Sequence, residues 1–464
     1  MSEQKQVLIS ISDKSIGFVS SDQVRIQLHL MGFRKQKALI RFLINDGLGA
    51  TRFSLRDEER ELKEGYTVLP FTWQVGPEDP PGIYLITAQV LSELENWRAI
   101  STESFEVVVP GTRHPKKLPA APRDHLLDAQ HPFSLIEEEK LIETFQVAHE
   151  ACQLSRNEEG SWGRTGTGLH LTYRGVGNVA LGYLYAYEAL GEEEYKTLAL
   201  GGLDYLLSEQ EENGGFRWWN TPEGTMNPRD PFYDTGWAGL SLAEGYRISG
   251  DARYLKGVRK AADWTMTCPF TGNNNYDAFA LWFLSLLYTF TEEKKYLDTA
   301  VERTEGGIFF AQLPRGGWPG HNFHIGYHSI IANGLASLYD VLPEGHPFED
   351  RLRKRLCMVL NLARYLQTAE GDFYQGWEYD RDFYIDEESR PVGRTGPARP
   401  ELIRAFYKIR KQLGVSRNLF NGLCQSIIAK IKPLQDRPEG EKRNAASLMD
   451  IGLLLKWARE AGSD

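Results

Sequence analysis

Three aspartates, one in a long loop and two at the starts of expected helices, are the residues best suited to acid–base chemistry. Asp230 and Asp234 lie four residues apart, and Asp277 begins a later helix. Hydrolysis of a glycosidic bond needs two carboxyl groups that flank the bond, one of them kept protonated by an apolar setting. Phe232 and Trp237 provide such a setting around Asp234. The alternative is that Asp234 and Asp277 only cap helix N-termini, where aspartate is favoured.

A histidine- and tyrosine-rich segment, H-N-F-H-I-G-Y-H from residue 321, would suit proton abstraction instead. Removing a proton next to a carboxylate, as in uronate β-elimination or C5-epimerisation, needs a basic side chain and a ligand for the carboxylate. Tyr327 and His328 are the expected bases, and Asn322 and Arg174 are the expected ligands. A structural role at the helix start is the alternative for His328.

The same segment offers three imidazoles as metal ligands. His321, His324 and His328 follow one another at i, i+3 and i+7. This spacing matches no dedicated zinc motif. We therefore expect no metal ion and no other cofactor.

Aromatic, arginine and asparagine side chains are concentrated in five long segments between the expected helices. Aromatic rings stack on the apolar faces of sugars, and Asn and Arg side chains bond hydroxyls and carboxylates. Core packing is the alternative for each single tryptophan. The residues expected to bind substrate are Trp162, Arg164, Arg174, Arg217, Trp218, Trp219, Tyr233, Asn275, Trp318, His321, His324, Trp377 and Arg394.

Composition restricts the classes of partner. The 464 residues carry 53 basic and 63 acidic side chains, a net charge of −10, which argues against nucleic acid. No run approaches the roughly 18 apolar residues of a membrane span, and the polar start M-S-E-Q-K-Q-V lacks the apolar region of a signal peptide. Four widely separated cysteines predict reduced, buried thiols. We expect a cytoplasmic protein whose partner is an oligosaccharide or polysaccharide, and the oligomeric state stays open.

Residues 1–109 have the pattern of a β-sheet domain. Segments such as Q-V-R-I-Q-L-H-L and K-A-L-I-R-F-L-I-N alternate apolar and polar residues, and turn signals such as P-E-D-P-P-G separate them. About seven short strands in this length predict an immunoglobulin-like β-sandwich. Residues 110–133 are rich in proline and charge and predict a linker.

Residues 134–464 have a helical pattern with weak internal repeats. Twelve helices are expected, and tight turns join them in pairs. A second repeat, Q-E-E-N-G-G-F from residue 210 and Q-L-P-R-G-G-W from residue 312, follows the later helix of a pair. This alternation of short turns and long loops predicts an (α/α)6 toroid. The long loops and the N-termini of an inner ring would then meet at one rim, where unpaired N–H groups favour anions.

One helical unit resembles a family of carbohydrate-active enzymes. Y-D-T-G-W-A-G-L-S-L-A-E-G-Y-R-I-S-G-D-A-R-Y-L, from Tyr233, is similar to a unit of the unsaturated glucuronyl and rhamnogalacturonyl hydrolases. The resemblance covers residues 134–461 in architecture and implies a catalytic aspartate at an inner-helix start, Asp234 or Asp277. A β-domain before a toroid is instead similar to polysaccharide lyases and glucuronyl C5-epimerases, and Y-H-S-I-I-A-N-G-L from Tyr327 loosely resembles an epimerase helix.

The sequence thus predicts an N-terminal β-sandwich followed by an all-α (α/α)6 toroid that carries the active site. We expect an enzyme that cleaves a glycosidic bond in a uronate-containing oligosaccharide. Asp234 would be its general acid/base, with Asp277 or Asp230 as partner. Lyase or C5-epimerase chemistry through Tyr327 and His328 stays open as the alternative, and a non-catalytic glycan-binding protein is the third possibility.

Overall fold

The fold is taken from a computed structural model of the chain. It describes residues 6–11, 18–46, 50–92, 97–108, 127–157, 160–162, 173–216, 231–268, 273–309, 312, 316–318, 322, 324–377, 391–436 and 447–461.

The N-terminal part is a sandwich of two antiparallel sheets, as the alternating pattern predicts. The strands are β1 (Gln6–Ile11), β2 (Gln23–Phe33), β3 (Gln36–Asn45), β4 (Thr51–Leu62), β5 (Gly65–Gln74), β6 (Gly82–Ser92) and β7 (Trp97–Val107). One sheet has the order β1-β2-β5 and the other β4-β3-β6-β7. Near the start of β6 the buried Tyr84 donates a hydrogen bond to the Pro80 carbonyl over 2.8 Å. This corner is a hallmark of immunoglobulin-like sandwiches.

The end of the predicted linker packs on the helical part. The Leu127 N–H donates to the Gly414 carbonyl over 2.6 Å, and the Asn418 side chain accepts a hydrogen bond from the Phe133 N–H over 2.8 Å. Residues 127–133 therefore lie against a helix hairpin near the C-terminus, although their composition resembles that of a linker. Residues 109–126 lie outside the described part of the chain.

Twelve α-helices lie within the described residues from 138 onward. They are α1 (Glu138–Gln153), α2 (Tyr173–Leu190), α3 (Glu193–Ser208), α4 (Pro231–Ser249), α5 (Ala252–Thr267), α6 (Asn274–Thr291), α7 (Lys294–Arg303), α8 (Ile325–Val341), α9 (Glu349–Tyr365), α10 (Pro400–Ile409), α11 (Arg417–Ile431) and α12 (Ser447–Ala461). The even-numbered helices pack in the closed order α2-α4-α6-α8-α10-α12, and α12 returns to α2. The odd-numbered helices lie outside them. The (α/α)6 toroid is confirmed.

Glycine at the closing contact lets the two terminal inner helices approach. A Cβ on Gly182 of α2 would lie 2.5 Å from the backbone carbon of Leu448 in α12. Any side chain at Gly182 would therefore force the two helices apart. The ring closes at this point because the sequence places glycine there.

The glutamine-containing repeat is a structural unit at the end of an outer helix. The Gln210 side-chain amide donates to the Gly214 carbonyl over 2.8 Å and to the Gly257 carbonyl of α5 over 2.9 Å. Gly214 has a φ of +95°, a conformation that favours glycine. Phe216 follows and is fully buried. The repeat fixes the turn after α3 to the next outer helix.

A β-hairpin interrupts the helical pattern between α9 and α10. It consists of β8 (Phe373–Trp377) and β9 (Pro391–Gly396), which pair antiparallel. The sequence predicted only a long loop in this region. None of the described helices is long and apolar enough to cross a membrane.

At the C-terminal end of the inner ring, buried charges form an ion-pair network. The fully buried Arg404 guanidinium donates to Glu244 over 3.2 Å and to both Asn333 and Ser337 over 2.9 Å. The Glu244 carboxylate also accepts from Arg247 over 2.7 Å. Burial alone would raise the pKa of Glu244, but Arg247 and Arg404 outweigh burial and hold this pKa far below its ordinary value. The charges in this network compensate one another.

Candidate active site at the mouth of the helical ring

The first turns of the inner helices bring most of the described candidate residues to one end of the ring. We call this end, formed by the N-termini of α2, α4, α6, α8, α10 and α12, the mouth. Each candidate lies within the first four residues of its helix. The residues concerned are Arg174, Tyr233, Asp234, Asn275, Asp277, Tyr327 and His328.

Arg174 and Tyr233 form a pair across α2 and α4. The exposed Arg174 guanidinium donates to the Tyr233 hydroxyl and lies 5.1 Å from the centre of the Tyr233 ring. The ring is held edge-on against Phe279 of α6, with 4.7 Å between the ring centres. Burial raises the pKa of Tyr233 to about 12, although Arg174 opposes the shift. The phenol therefore stays protonated at neutral pH.

Asp234 is the buried carboxyl group of the α4 first turn. Its exposed fraction is 3%. Since α4 begins at Pro231, Asp234 lies inside the helix and is not its cap. The next residue, Thr235, accepts a hydrogen bond from the Phe216 N–H over 2.9 Å and so fixes the start of α4 against the preceding loop. The carboxyl group is thus held at the positive end of a helix dipole.

Asp277 has a structural partner. Its fully buried carboxylate lies 2.7 Å from the Arg303 guanidinium of α7, an outer helix. Arg303 also donates to the carbonyls of Thr265 and Cys268. A carboxylate fixed by an ion pair toward the outer layer is a poor proton donor. This placement corrects the expectation that Asp277 is the catalytic partner of Asp234, and the helix cap before it is Asn273.

His328 is buried and structural. Its Nε2–H donates to the Val359 carbonyl of α9 over 2.9 Å, and its ring packs edge-on against Trp318 with 5.7 Å between the centres. Burial lowers the pKa of His328 to about 4. An imidazole that is buried and already donates to a backbone carbonyl is poorly placed to take a proton from a substrate, which corrects its expected role as a base.

Tyr327 and His324 are the accessible members of the same segment. Tyr327 is 37% exposed, and its ring centre lies 5.8 Å from that of His324. His324 caps α8, since its Nδ1 accepts a hydrogen bond from the Gly326 N–H over 3.0 Å. Burial and the nearby Arg399 lower the pKa of His324. A neutral imidazole and a phenol thus lie together at the mouth.

Trp318 belongs to the second glutamine-containing repeat. Its indole N–H donates to the Ile308 carbonyl over 2.9 Å, and the ring is fully buried. Gln312 donates to the carbonyls of Gly316 and Arg355, each over 3.4 Å. Trp318 therefore occupies the place that Phe216 has in the first repeat.

Trp162 is likewise a packing residue. It is fully buried and stacks on Tyr183, with 5.9 Å between the ring centres. Neither Trp162 nor Trp318 presents a ring face to solvent. The expectation that these two rings stack on sugar is corrected to core packing.

The remaining expected residues differ in accessibility. Asn275 is fully buried in the first turn of α6. Asn322 is buried too, and its side chain donates to Asn273 over 3.2 Å, so that it ties the segment before α8 to α6. Arg394 is exposed on β9, and Trp377 ends β8. Six expected residues lie outside the described part of the chain: Arg164, Arg217, Trp218, Trp219, Asp230 and His321.

Two buried carboxyl groups at the mouth were missed by the sequence analysis. Glu401 is the second residue of α10 and Asp450 the fourth of α12. Burial raises the pKa of Glu401, and the Asp450 carboxylate raises it further, while Arg399 and Arg174 oppose the shift. Burial also raises the pKa of Asp450, although Lys430 lies 3.3 Å from one of its oxygens. The sequence signal that could have identified Glu401 is the pair Pro400–Glu401, because a proline followed by an acidic residue is typical of a helix start.

The described part of the mouth contains no cluster suited to a metal ion. No three His, Cys, Asp or Glu side chains among the described residues could together hold one. The arrangement there consists of carboxyl groups, the phenols of Tyr233 and Tyr327, the imidazole of His324 and exposed guanidinium groups.

Solved structures share this fold. No protein-family model matches the sequence, and the search of curated proteins found no match. The structure is similar to a family 76 glycoside hydrolase from a bovine Bacteroides thetaiotaomicron strain, with 12% identity, a TM-score of 0.50 and coverage of 100% of this chain and 99% of that one. It is similar to an unsaturated glucuronyl hydrolase from Streptococcus agalactiae, with 13% identity, a TM-score of 0.51 and coverage of 74% and 98%. A possible family 105 member from Salmonella enterica has 15% identity, a TM-score of 0.50 and coverage of 72% and 97%. At these identities the likeness shows the toroid fold.

Proposed function

We propose that this protein is a carbohydrate-active enzyme that hydrolyses a glycosidic bond in a uronate-containing oligosaccharide. The observation that carries the proposal is the buried Asp234 carboxyl group in the first turn of α4, directly beside the Arg174–Tyr233 pair. A carboxyl group shielded from water at the mouth of a closed ring is the arrangement that general acid/base catalysis requires. The fold shared with glycoside hydrolases supports the same class of reaction.

The mouth can recognise a carboxylate on the sugar. Arg174 is exposed there, and a guanidinium binds a carboxylate through paired hydrogen bonds. The N-termini of six inner helices converge at the same place and favour an anion. A local positive field of this kind can attract an acidic substrate to a protein whose net charge is −10.

In this proposal Asp234 moves the proton at the glycosidic oxygen or at the attacking water, and Arg174 holds the uronate. Asp230, four residues earlier, was the second expected carboxyl group and stays a prediction, because it lies outside the described residues. The sugar-stacking role of Trp218 and Trp219 stays a prediction for the same reason.

Elimination or C5-epimerisation is the second candidate function. The observation that favours it is the exposed Tyr327 beside the half-buried His324. The burial of His328 against α9 weakens this candidate, since its imidazole was one of the two expected bases. A glycan-binding protein without catalysis is the third candidate, and the carboxyl groups buried at the mouth argue against it.

Ultraviolet absorbance of the 4,5-unsaturated uronate chromophore separates these candidates. The protein is added to intact polyuronates and, separately, to their unsaturated lyase products, with release of reducing ends measured in parallel. We expect absorbance to fall on the unsaturated products or reducing ends to appear on the intact polymer. Absorbance that rises on the intact polymer would establish elimination and replace the proposal. If neither signal appears on any polyuronate, hydrolysis is excluded.

A further inference from the structure

We propose that Glu401 is the proton donor of the reaction, the carboxyl group that protonates the departing glycosidic oxygen. The inference rests on the proposed function, in which Asp234 then serves as the base. The assignment depends on the position of Glu401 in the fold.

Glu401 lies at the mouth, in the first turn of α10, between α8 and α12 in the inner ring. Its carboxyl group is close enough to Arg174 of α2 and to Tyr233 of α4 for their charges to interact. Arg174 is the side chain that the proposed function places on the uronate, and Tyr233 is its hydrogen-bond partner. Glu401 therefore faces the same space from another inner helix.

The hydrogen bonding of Glu401 is incomplete. Its exposed fraction is 9%, and within the described part of the chain its Oε2 has no hydrogen-bond partner. A buried carboxylate oxygen without a partner is costly, whereas a neutral carboxyl group, or one completed by a ligand, is not. Glu244 shows the contrast, since it is also buried but lies between Arg247 and Arg404. We assign this unpartnered oxygen of Glu401 to the contact with substrate.

The charges around Glu401 favour its protonated form. Burial raises the pKa of Glu401, and the negative charge of Asp450 in α12 raises it further. Arg399, which precedes α10, and Arg174 act in the opposite sense without cancelling the shift. On the side of α8, the neutral form of His324 adds no further positive charge, because its own pKa is lowered. A carboxylic acid with an available O–H is the form that general acid catalysis requires.

The reaction step balances with these two residues and one water molecule. The Glu401 proton passes to the glycosidic oxygen as the bond from this oxygen to the anomeric carbon breaks, and the bonding electrons stay on the oxygen. The water oxygen bonds to the anomeric carbon, and its proton passes to the Asp234 carboxylate. Glu401 is left ionised and Asp234 protonated, and exchange of one proton with solvent restores both.

A substrate-free measurement tests the protonation state. Infrared difference spectra of wild type minus Glu401→Gln at neutral pH should show loss of the C=O band of a protonated carboxyl group. Glu244→Gln is the matched control, since Glu244 is also buried and its spectrum should show loss of carboxylate bands only. Loss of carboxylate bands alone in the Glu401 spectrum would overturn the proposal. Should E401Q fail to fold, titration of wild type with labelled glutamate carboxyls by NMR gives the same answer.

The dependence of the cleavage rate on the leaving group tests the role of Glu401 as proton donor. Phenyl and 2,4-dinitrophenyl glucuronides serve as probes, because only the phenyl group needs a proton to depart. E401Q should lower kcat/KM for the phenyl glucuronide by about 10²- to 10⁴-fold and leave the dinitrophenyl glucuronide much less affected. Equal losses on both probes overturn the donor role alone. A wild-type protein that cleaves neither glucuronide and also acts on no polyuronate or unsaturated product overturns the proposed function and the donor role together, whatever the infrared band shows.

Discussion

The two ends of the inner ring bury carboxyl groups in different surroundings. At the C-terminal end Glu244 lies between Arg247 and Arg404, and its pKa is held far below the ordinary value. At the mouth the pKa of Glu401 and that of Asp450 are raised, and each has one buried oxygen without a hydrogen-bond partner in the described chain.

In our proposal this difference distinguishes structural charges from functional ones within one ring. A buried ion pair that is complete in the folded protein holds helices in place and leaves nothing for a ligand. A buried carboxyl group without compensation is unfavourable for folding, and such sites occur where a protein binds or converts a substrate. Asp277, although it lies at the mouth, belongs with the structural charges because of Arg303.

The substitution with the largest expected effect on stability is at the C-terminal end of the inner ring. Glu244→Gln leaves Arg404 buried without its anionic partner and should lower the free energy of unfolding by about 3–5 kcal/mol. Denaturation in urea measures this loss. Glu188→Gln is the matched control, since Glu188 pairs with the same Arg247 but is partly exposed, and its loss should stay within about 1 kcal/mol. Equal losses for the two variants would contradict the comparison.

Asp277→Asn should also act on stability and not on chemistry. We expect a loss of about 3 kcal/mol, at the lower end of the range because Arg303 keeps its two carbonyl partners. Unfolding and turnover are measured on the same preparation. Turnover per folded molecule should equal that of wild type, and a loss of turnover in stable protein would return Asp277 to the catalytic residues.

Trp318→Phe distinguishes packing from substrate stacking. The variant leaves the Ile308 carbonyl without its donor and should lower the free energy of unfolding by about 1–3 kcal/mol, with KM unchanged. Arg174→Ala is the converse, because its exposed guanidinium should affect KM by about 10-fold or more and leave stability unchanged. For the first variant, W318F, a raised KM would contradict the packing role and show that the indole ring contacts substrate.

The pH dependence of stability should have opposite signs at the two ends. The folded pKa of Glu401 is raised, so its contribution is present below the ordinary carboxyl pKa of about 4.3 and is lost as pH rises through the folded value. The folded pKa of Glu244 is lowered, so its contribution is present above about 4.3 and is lost as pH falls through the folded value.

Unfolding measured over a pH series checks both signs. Relative to wild type, E401Q should gain stability as pH rises above about 4.3, and the deficit of E244Q should shrink as pH falls below that value. Parallel curves for the two variants would show that the environments of Glu401 and Glu244 do not differ as described.

The architecture could be predicted because it depends on periodic patterns. Alternation over 105 residues or so marks a sandwich, and the 3.6-residue period with tight turns marks twelve helices in pairs. The closed order of the inner ring follows from that alternation and from glycines such as Gly182, which allow close approach. The hairpin of β8 and β9 was missed, since its two short strands lie in a segment without clear periodicity.

The site was predicted less well, because exposure depends on long-range packing. Trp162, Trp318 and His328 have the residue types of a sugar site, yet their partners Tyr183, Ile308 and Val359 lie on other elements. The sequence placed Asp234 and Arg174 at one rim because both lie at starts of inner helices. It did not single out Glu401 or Asp450, because their raised pKa values and their unpartnered oxygens depend on burial in the folded ring.

The initial rate of Asp234→Asn tests the central claim most directly. Wild type, D234N and D277N are compared on an unsaturated uronyl disaccharide by loss of ultraviolet absorbance, and on an intact oligouronide by release of reducing ends. We predict that wild type acts on at least one of the two, that D234N is slower by about 10²- to 10⁴-fold with unchanged folding, and that D277N retains its turnover per folded molecule. A D234N variant as fast as wild type would contradict the assignment of the mouth as the site of hydrolysis.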